Sequence, residues 1–76
     1  MRIDDLNFEY EPDVFSFVAD HRGIDLVIQP LRKGFAAEVV DGAEVHRLGE
    51  FPNERWAKVA TLQAAEKISG RGNVAA

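Results

Sequence analysis

The sequence contains no cysteine, and its 76 residues include only one tryptophan, one tyrosine and two histidines. The absence of cysteine excludes disulfides, thiolate metal sites and cysteine nucleophiles. Because small secreted domains usually depend on disulfides, we expect a reducing, cytoplasmic location. The longest apolar runs are far shorter than the roughly 20 residues that a bilayer crossing needs, and the N-terminus lacks the apolar core of a signal peptide. We therefore expect a soluble chain that does not bind membranes.

The length and composition predict one small domain. The chain is 46% hydrophobic, which is ordinary for a globular protein and too high for intrinsic disorder. No internal repeat, low-complexity tract or linker divides it. We predict a single domain over residues 1–70, followed by a flexible C-terminal tail over residues 71–76.

The acidic residues are concentrated in the first third of the chain. The net charge is -4, yet residues 1–25 contain seven acidic residues and only two basic ones. No lysine or arginine interrupts the five carboxylates from residue 4 to residue 13. Such a segment predicts a negative surface that attracts a basic partner by charge. Its candidate protein-binding residues are Asp4, Asp5, Glu9, Glu11 and Asp13.

Two N-terminal segments predict β structure. Residues 6–11 alternate apolar and polar side chains, which places Leu6, Phe8 and Tyr10 on one face of a short strand that Pro12 ends. Residues 14–19 are rich in β-branched and aromatic side chains, and we predict a strand there. Their apolar spacing up to residue 21 also fits a helix, which is the alternative.

The middle of the chain predicts further strands joined by tight turns. Residues 24–29 form a strand that Pro30 closes, and residues 35–40 form the next. Asp41-Gly42 predicts a two-residue hairpin turn of the I′ type, after which residues 43–48 return antiparallel.

The C-terminal segment predicts one helix over residues 54–69, with Asn53 as its N-cap and Gly70 as its end. Small side chains at helical spacing form the expected core face. That stripe consists of Ala57, Ala60, Thr61, Ala64 and Ile68. Val59 and Leu62 lie away from it, with Trp56 between the two sides, so we expect this extra apolar surface to meet a partner or a second copy. The predicted fold class is α+β, a three- to four-stranded, mostly antiparallel sheet packed by one C-terminal helix.

The residue types that catalysis and metal binding require are scarce. The only hydroxyl side chains besides tyrosine are Ser16, Thr61 and Ser69, and none lies in a glycine-flanked nucleophile elbow. His21 and His46 stand alone, without ligands at metal-binding spacing. We therefore predict no enzymatic activity, no cofactor and no metal site.

Four basic residues define an alternative, nucleic-acid-binding surface: Arg32, Lys33, Arg47 and Lys58. Residues 54–67, with Ala57-Lys58 and Ala64-Ala65, resemble the alanine-rich last helix of double-stranded RNA-binding domains. A helix over residues 13–21 would match the element order of that fold. The lysine cluster that begins the family's helix is replaced here by Asn53-Glu54-Arg55-Trp56. This resemblance implies RNA binding, which we rank below protein binding because the pI is about 5.0.

In size, acidity and lack of catalytic apparatus, the chain resembles small phage-encoded inhibitors of host defence, including the anti-CRISPR proteins. The resemblance is one of type and no shared motif supports it. It implies a protein that occupies a surface of a larger, nucleic-acid-handling complex. We predict a protein-binding module whose carboxylates are joined by the apolar candidates Tyr10, Trp56, Val59 and Leu62. A third hypothesis is a homodimer formed through Val59, Leu62 and an edge strand.

Overall fold

A computed structural model describes the backbone of residues 6–75 and the side chains of residues 6–69. It contains one antiparallel sheet of five strands in the order β1-β2-β3-β4-β5 and one helix. The elements are β1 (Glu9–Glu11), β2 (Ser16–His21), β3 (Ile24–Leu31), β4 (Gly34–Asp41), β5 (Glu44–Phe51) and α1 (Glu54–Ala75). The α+β prediction is confirmed, whereas the predicted three to four strands are one or two too few.

The first two strands settle the alternative that the sequence left open. Residues 16–21 are a strand, because β2 pairs on one side with β1 and on the other with β3. A short apolar run can fit helical and strand periodicity equally well, so its helical spacing did not identify a helix. The element order therefore differs from that of double-stranded RNA-binding domains. Strand β1 has only three residues, which is shorter than the predicted strand over residues 6–11.

Strand β3 continues past the proline that was predicted to end it. Pro30 pairs with Phe35 of β4. The last residue of β3 that pairs with β2 is Ile28, so at Pro30 the strand has a neighbour on one side only. A proline lacks the backbone N–H and is tolerated in a strand where no neighbour needs that donor.

The two-residue turns use left-handed backbone conformations. Arg22 and Gly23 both have positive φ, 55° and 80°, as a type I′ turn requires. The predicted β4–β5 hairpin is present, but Asp41 pairs with Glu44, so Gly42 and residue 43 occupy the turn instead of Asp41-Gly42. Only Gly42 of these two has positive φ, at 62°, which suits the first central position of a type II′ turn.

Gly34, which begins β4, is required by close packing as well as by its backbone angle. Its φ is 122°, in a region that residues with a side chain rarely adopt. A Cβ atom at this position would lie 2.6 Å from the carbonyl oxygen of Phe51. Glycine therefore allows the β3–β4 turn to approach the end of β5, where the chain leaves the sheet for α1.

Helix α1 begins at the predicted N-cap. Asn53 Oδ1 accepts a hydrogen bond of 2.9 Å from the backbone N–H of Trp56, which satisfies one of the free amides at the helix N-terminus. The helix continues to Ala75, so the predicted end at Gly70 is wrong. A glycine permits a helix end without imposing one.

The core lies between α1 and the face of the sheet that it covers, here called the helix face. Its fully buried members include Leu26 and Ile28 of β3, Val39 of β4 and Ala57 and Ala65 of α1. The small helix residues allow a close approach to the sheet, as the predicted stripe implied. Burial of the aliphatic side chains supplies the main driving force for this packing, at about 1.5–3 kcal/mol for each large one.

One apolar residue of the helix is placed differently from the prediction. Leu62 was expected on an exposed helix face, but its side chain is buried and only 6% exposed. It therefore adds no exposed apolar surface in the monomer. The buried side of α1 extends from Ala57 through Thr61 and Ala65 to Leu62, and so it reaches beyond the stripe predicted from the sequence.

Candidate protein-binding surface

Helix α1 covers one face of the sheet and leaves the opposite face, here called the open face, without a packing layer among the described residues. The strand register assigns side chains to each face, because directly paired residues point the same way. One row across the open face runs through Glu9, Val18, Val27, Glu38 and Arg47. The row on one side contains Asp20, Asp25, Val40 and Val45, and the row on the other side contains Gln29, Ala36 and Glu50.

The open face is strongly acidic. Its carboxylates come from all five strands, and its single guanidinium is that of Arg47. The carboxylates are Glu9, Glu11, Asp20, Asp25, Glu38 and Glu50. Only the first two were predicted from the sequence as binding residues. The other four were missed because their alignment depends on the register of the sheet.

Two of these carboxylates lie directly opposite each other. Asp20 pairs with Asp25 next to the β2–β3 turn, and both side chains are exposed. The two ion pairs found among the described residues, Lys58 with Glu54 and His46 with Glu44, involve neither of them. Like charges in directly opposed positions destabilise a sheet. Folding alone therefore does not explain why this pair is present.

A depression of about 440 Å³ lies on the open face beside the β-bulge of β5. Its walls are the long polar side chains of Gln29, Glu38, Arg47 and Glu50, and part of its floor is Gly49. The bulge falls where Leu48 has no partner in β4, between the pairs that Arg47 and Gly49 make. The depression therefore lies where the bulge interrupts the regular pairing of β4 with β5.

The carboxylates predicted from the sequence form part of this surface. Glu9 and Glu11 lie on the exposed edge strand β1, on the open face, and Asp13 lies in the turn that follows. The predictions for Asp4 and Asp5 fall outside the described residues. The acidic surface is therefore broader than the N-terminal segment from which it was predicted.

The predicted apolar contact residues lie apart from one another. The Tyr10 ring packs edge-on against Phe17 at 5.1 Å, and Tyr10 remains half exposed. Trp56 is 60% exposed in the first turn of α1, whereas Val59 is partly buried. With Leu62 buried, the helix does not present the continuous apolar face that the homodimer hypothesis used.

The free edge of β5 is also poorly suited to pairing with a second copy. The bulge at Leu48 and the φ of 111° at Gly49 interrupt the regular backbone of this strand. Arg47 and Glu50 add charges on either side of the interruption. Bulges and charges are the features by which natural sheets avoid edge-to-edge association.

The four basic residues of the nucleic-acid hypothesis lie on different elements. Arg32 and Lys33 occupy the β3–β4 turn, and Arg47 lies on the open face among carboxylates. Lys58 pairs with Glu54 at 3.0 Å, and its Nζ lies 5.2 Å from the centre of the Phe8 ring. Two of the four bases, Arg47 and Lys58, therefore lie beside carboxylates, which weakens their attraction for phosphate.

The hydroxyl groups of Ser16 and Thr61 donate hydrogen bonds to backbone carbonyls nearby, at 2.9 Å and 2.7 Å. Among the side chains of residues 6–69, no three of the metal-binding types are grouped closely enough to hold an ion. The described part of the chain contains no helix that is both long and apolar enough to cross a bilayer. Comparison with protein-family models, curated proteins and solved structures finds no match for this chain.

Proposed function

We propose that this protein is a non-enzymatic protein-binding module whose acidic open face docks on a basic surface of its partner. The observation that supports the proposal is the distribution of charge, with six carboxylates and one guanidinium on a sheet face that no other described element covers. A valine pair in the middle of this face, Val18 and Val27, adds partly buried apolar surface among the charges. Mixed surfaces of this kind are usual in protein interfaces.

The directly opposed Asp20 and Asp25 strengthen this proposal. Their mutual repulsion costs stability in the isolated protein, and a cationic side chain of a partner would remove that cost on binding. An acidic face of this kind repels nucleic acid and membranes that contain anionic lipids. The acidic face attracts the basic protein surfaces to which nucleic acids bind. The sharper form of the proposal is therefore an inhibitor that occupies a basic surface of a nucleic-acid-handling complex.

A capture experiment with charge-reversed variants tests the proposal. The tagged protein is used to capture partners from nuclease-treated lysate of its source cells at low and moderate salt. The test variant is Glu9→Lys/Glu11→Lys on the open face. The matched control is Glu44→Lys/Glu66→Lys, which changes the net charge equally but alters exposed residues outside the open face.

We expect one stoichiometric protein partner that the control retains and the open-face variant loses. Binding should weaken with salt, because exposed charges separated by more than about 8 Å are largely screened at physiological ionic strength. Recovery of nuclease-sensitive nucleic acid, lost only on Arg32→Ala/Lys33→Ala, would contradict the proposal and favour the RNA-binding alternative. Recovery of the protein's own chain alone would favour the homodimer.

A further inference from the structure

The turn between β1 and β2 exposes two large apolar side chains at one end of the sheet. Val14 is 56% exposed and Phe15 is 67% exposed. Exposed single apolar residues are common, but two adjacent ones in a turn form a local apolar patch. Neither side chain belongs to the two buried clusters that form the core.

Phe15 also has an unusual backbone conformation. Its φ is 51°, in the left-handed region where glycine and asparagine are favoured and bulky residues are uncommon. A phenylalanine at this position contradicts the local preference of the turn. An unfavourable backbone conformation at a residue that gains no packing from it indicates a functional constraint.

Hydrogen bonds fix the turn in this conformation. The backbone amides of Val14 and Phe15 donate to the carbonyl oxygens of Glu11 and Pro12, at 3.2 Å and 3.3 Å. The buried Ser16 hydroxyl donates to the carbonyl oxygen of Val14 at 2.9 Å. The pyrrolidine ring of Pro12 restricts its own φ further. A side chain presented by such an ordered turn loses little conformational entropy when it binds.

The charge around the turn indicates which partner it fits. Residues 6–20 contain no lysine or arginine, and the exposed Glu9, Glu11 and Asp13 lie on the same hairpin as Phe15. These carboxylates repel phosphate groups, so a nucleic acid or an anionic lipid surface is disfavoured as the occupant. They attract lysine and arginine side chains, so the complementary surface is a protein with basic residues around an apolar site.

We infer that Phe15, together with Val14, is the anchor of the binding surface and inserts into an apolar pocket of the partner protein that is rimmed by lysine or arginine. The inference rests on the proposed function and adds the point of contact to it. An aromatic anchor in a water-excluded pocket, surrounded by polar contacts, is the usual organisation of a binding hot spot.

Photo-cross-linking tests the contact directly. Phe15 is replaced by photoreactive benzoylphenylalanine in the full-length chain, and the protein is irradiated in nuclease-treated lysate of its source cells. We expect a cross-link to a protein other than itself, within a segment whose apolar residues are accompanied by lysine or arginine. Cross-links confined to nucleic acid, lipid or a second copy of this chain would overturn the inference.

The variant Phe15→Gly separates binding from stability. Glycine adopts the left-handed conformation without strain, so the urea midpoint should equal or exceed that of the wild type. We expect the affinity for the captured partner to fall at least tenfold. The control Gln63→Ala shortens an exposed side chain of α1, outside the open face and the β1–β2 turn, and should change the affinity by less than about threefold, as expected for a residue outside the hot spot.

The outcomes distinguish the inference from the proposed function. A partner that Glu9→Lys/Glu11→Lys loses but Phe15→Gly binds within twofold would refute the anchor and leave the acidic face in place. A lower urea midpoint for Phe15→Gly would refute the argument from backbone strain. Failure of the wild-type protein to capture any protein would overturn both proposals.

Discussion

We predict that His21→Leu stabilises the protein. The His21 side chain is only 3% exposed and lies on the helix face of β2, where it pairs with Ile24. Neither ring nitrogen has a hydrogen-bond partner among the described residues. A neutral imidazole contains one donor and one acceptor, so both are buried without compensation. Leucine has a similar volume and no polar atom.

The expected gain follows from two opposing contributions. An unpaired buried polar group costs about 1–3 kcal/mol, so the two ring nitrogens of His21 together cost about 2–6 kcal/mol. A volume-conserving exchange in a packed core costs up to about 1.5 kcal/mol through imperfect fit. We therefore expect a net increase in the free energy of unfolding of about 0.5 kcal/mol at the least and about 6 kcal/mol at the most. In a domain of this size, each 1 kcal/mol raises Tm by about 4–8 °C.

Urea and thermal unfolding of His21→Leu measure this gain, with His46→Leu as the control. The His46 side chain is 42% exposed and lies 3.4 Å from Glu44, a contact that is worth little at the surface. We expect the control to change stability by less than about 1 kcal/mol. A His21→Leu variant less stable than the wild type, beside a neutral control, would show that the ring nitrogens are hydrogen-bonded and refute the reasoning.

Three further substitutions test the fold and the charge of the open face by urea unfolding. Gly34→Ala should lower stability by about 2 kcal/mol or more, because its Cβ would meet the Phe51 carbonyl oxygen; a change below about 0.5 kcal/mol would contradict the close packing. Asn53→Ala should cost about 1 kcal/mol by removing the N-cap, and an unchanged midpoint would mean that the cap is dispensable. Asp25→Asn should add about 0.2–1 kcal/mol at low salt by removing the repulsion from Asp20. That gain should shrink at high salt, and one that is independent of salt would contradict its electrostatic origin.

Features that depend on neighbouring residues could be predicted from the sequence. The strand over residues 24–29, the hairpin that follows residue 40 and the N-cap at Asn53 all rest on local signals, namely side-chain alternation, turn glycine and capping chemistry. The small-residue face of α1 was also predictable, because helical periodicity alone defines it.

Features that depend on tertiary contacts could not be predicted in this way. The Arg22-Gly23 turn lacks the asparagine or aspartate that usually signals a type I′ turn, so the β2–β3 hairpin was not identified. Leu62 is buried together with Thr61 and Ala65, and helical periodicity alone does not determine how far the buried side of α1 extends. The acidic open face could be predicted only if the register of the strands were known, because a shift of one residue would move Glu38 to the opposite face.

Each strand from β2 to β5 pairs with the strand that precedes it in the chain, and this order has a consequence for synthesis. Each hairpin can close as soon as its second strand leaves the ribosome, because all the connections between strands are short. The helix is made last, so the apolar side chains of Leu26, Ile28 and Val39 stay uncovered until it docks. During that interval the nascent sheet exposes an apolar face, and it is then most susceptible to aggregation and to capture by chaperones.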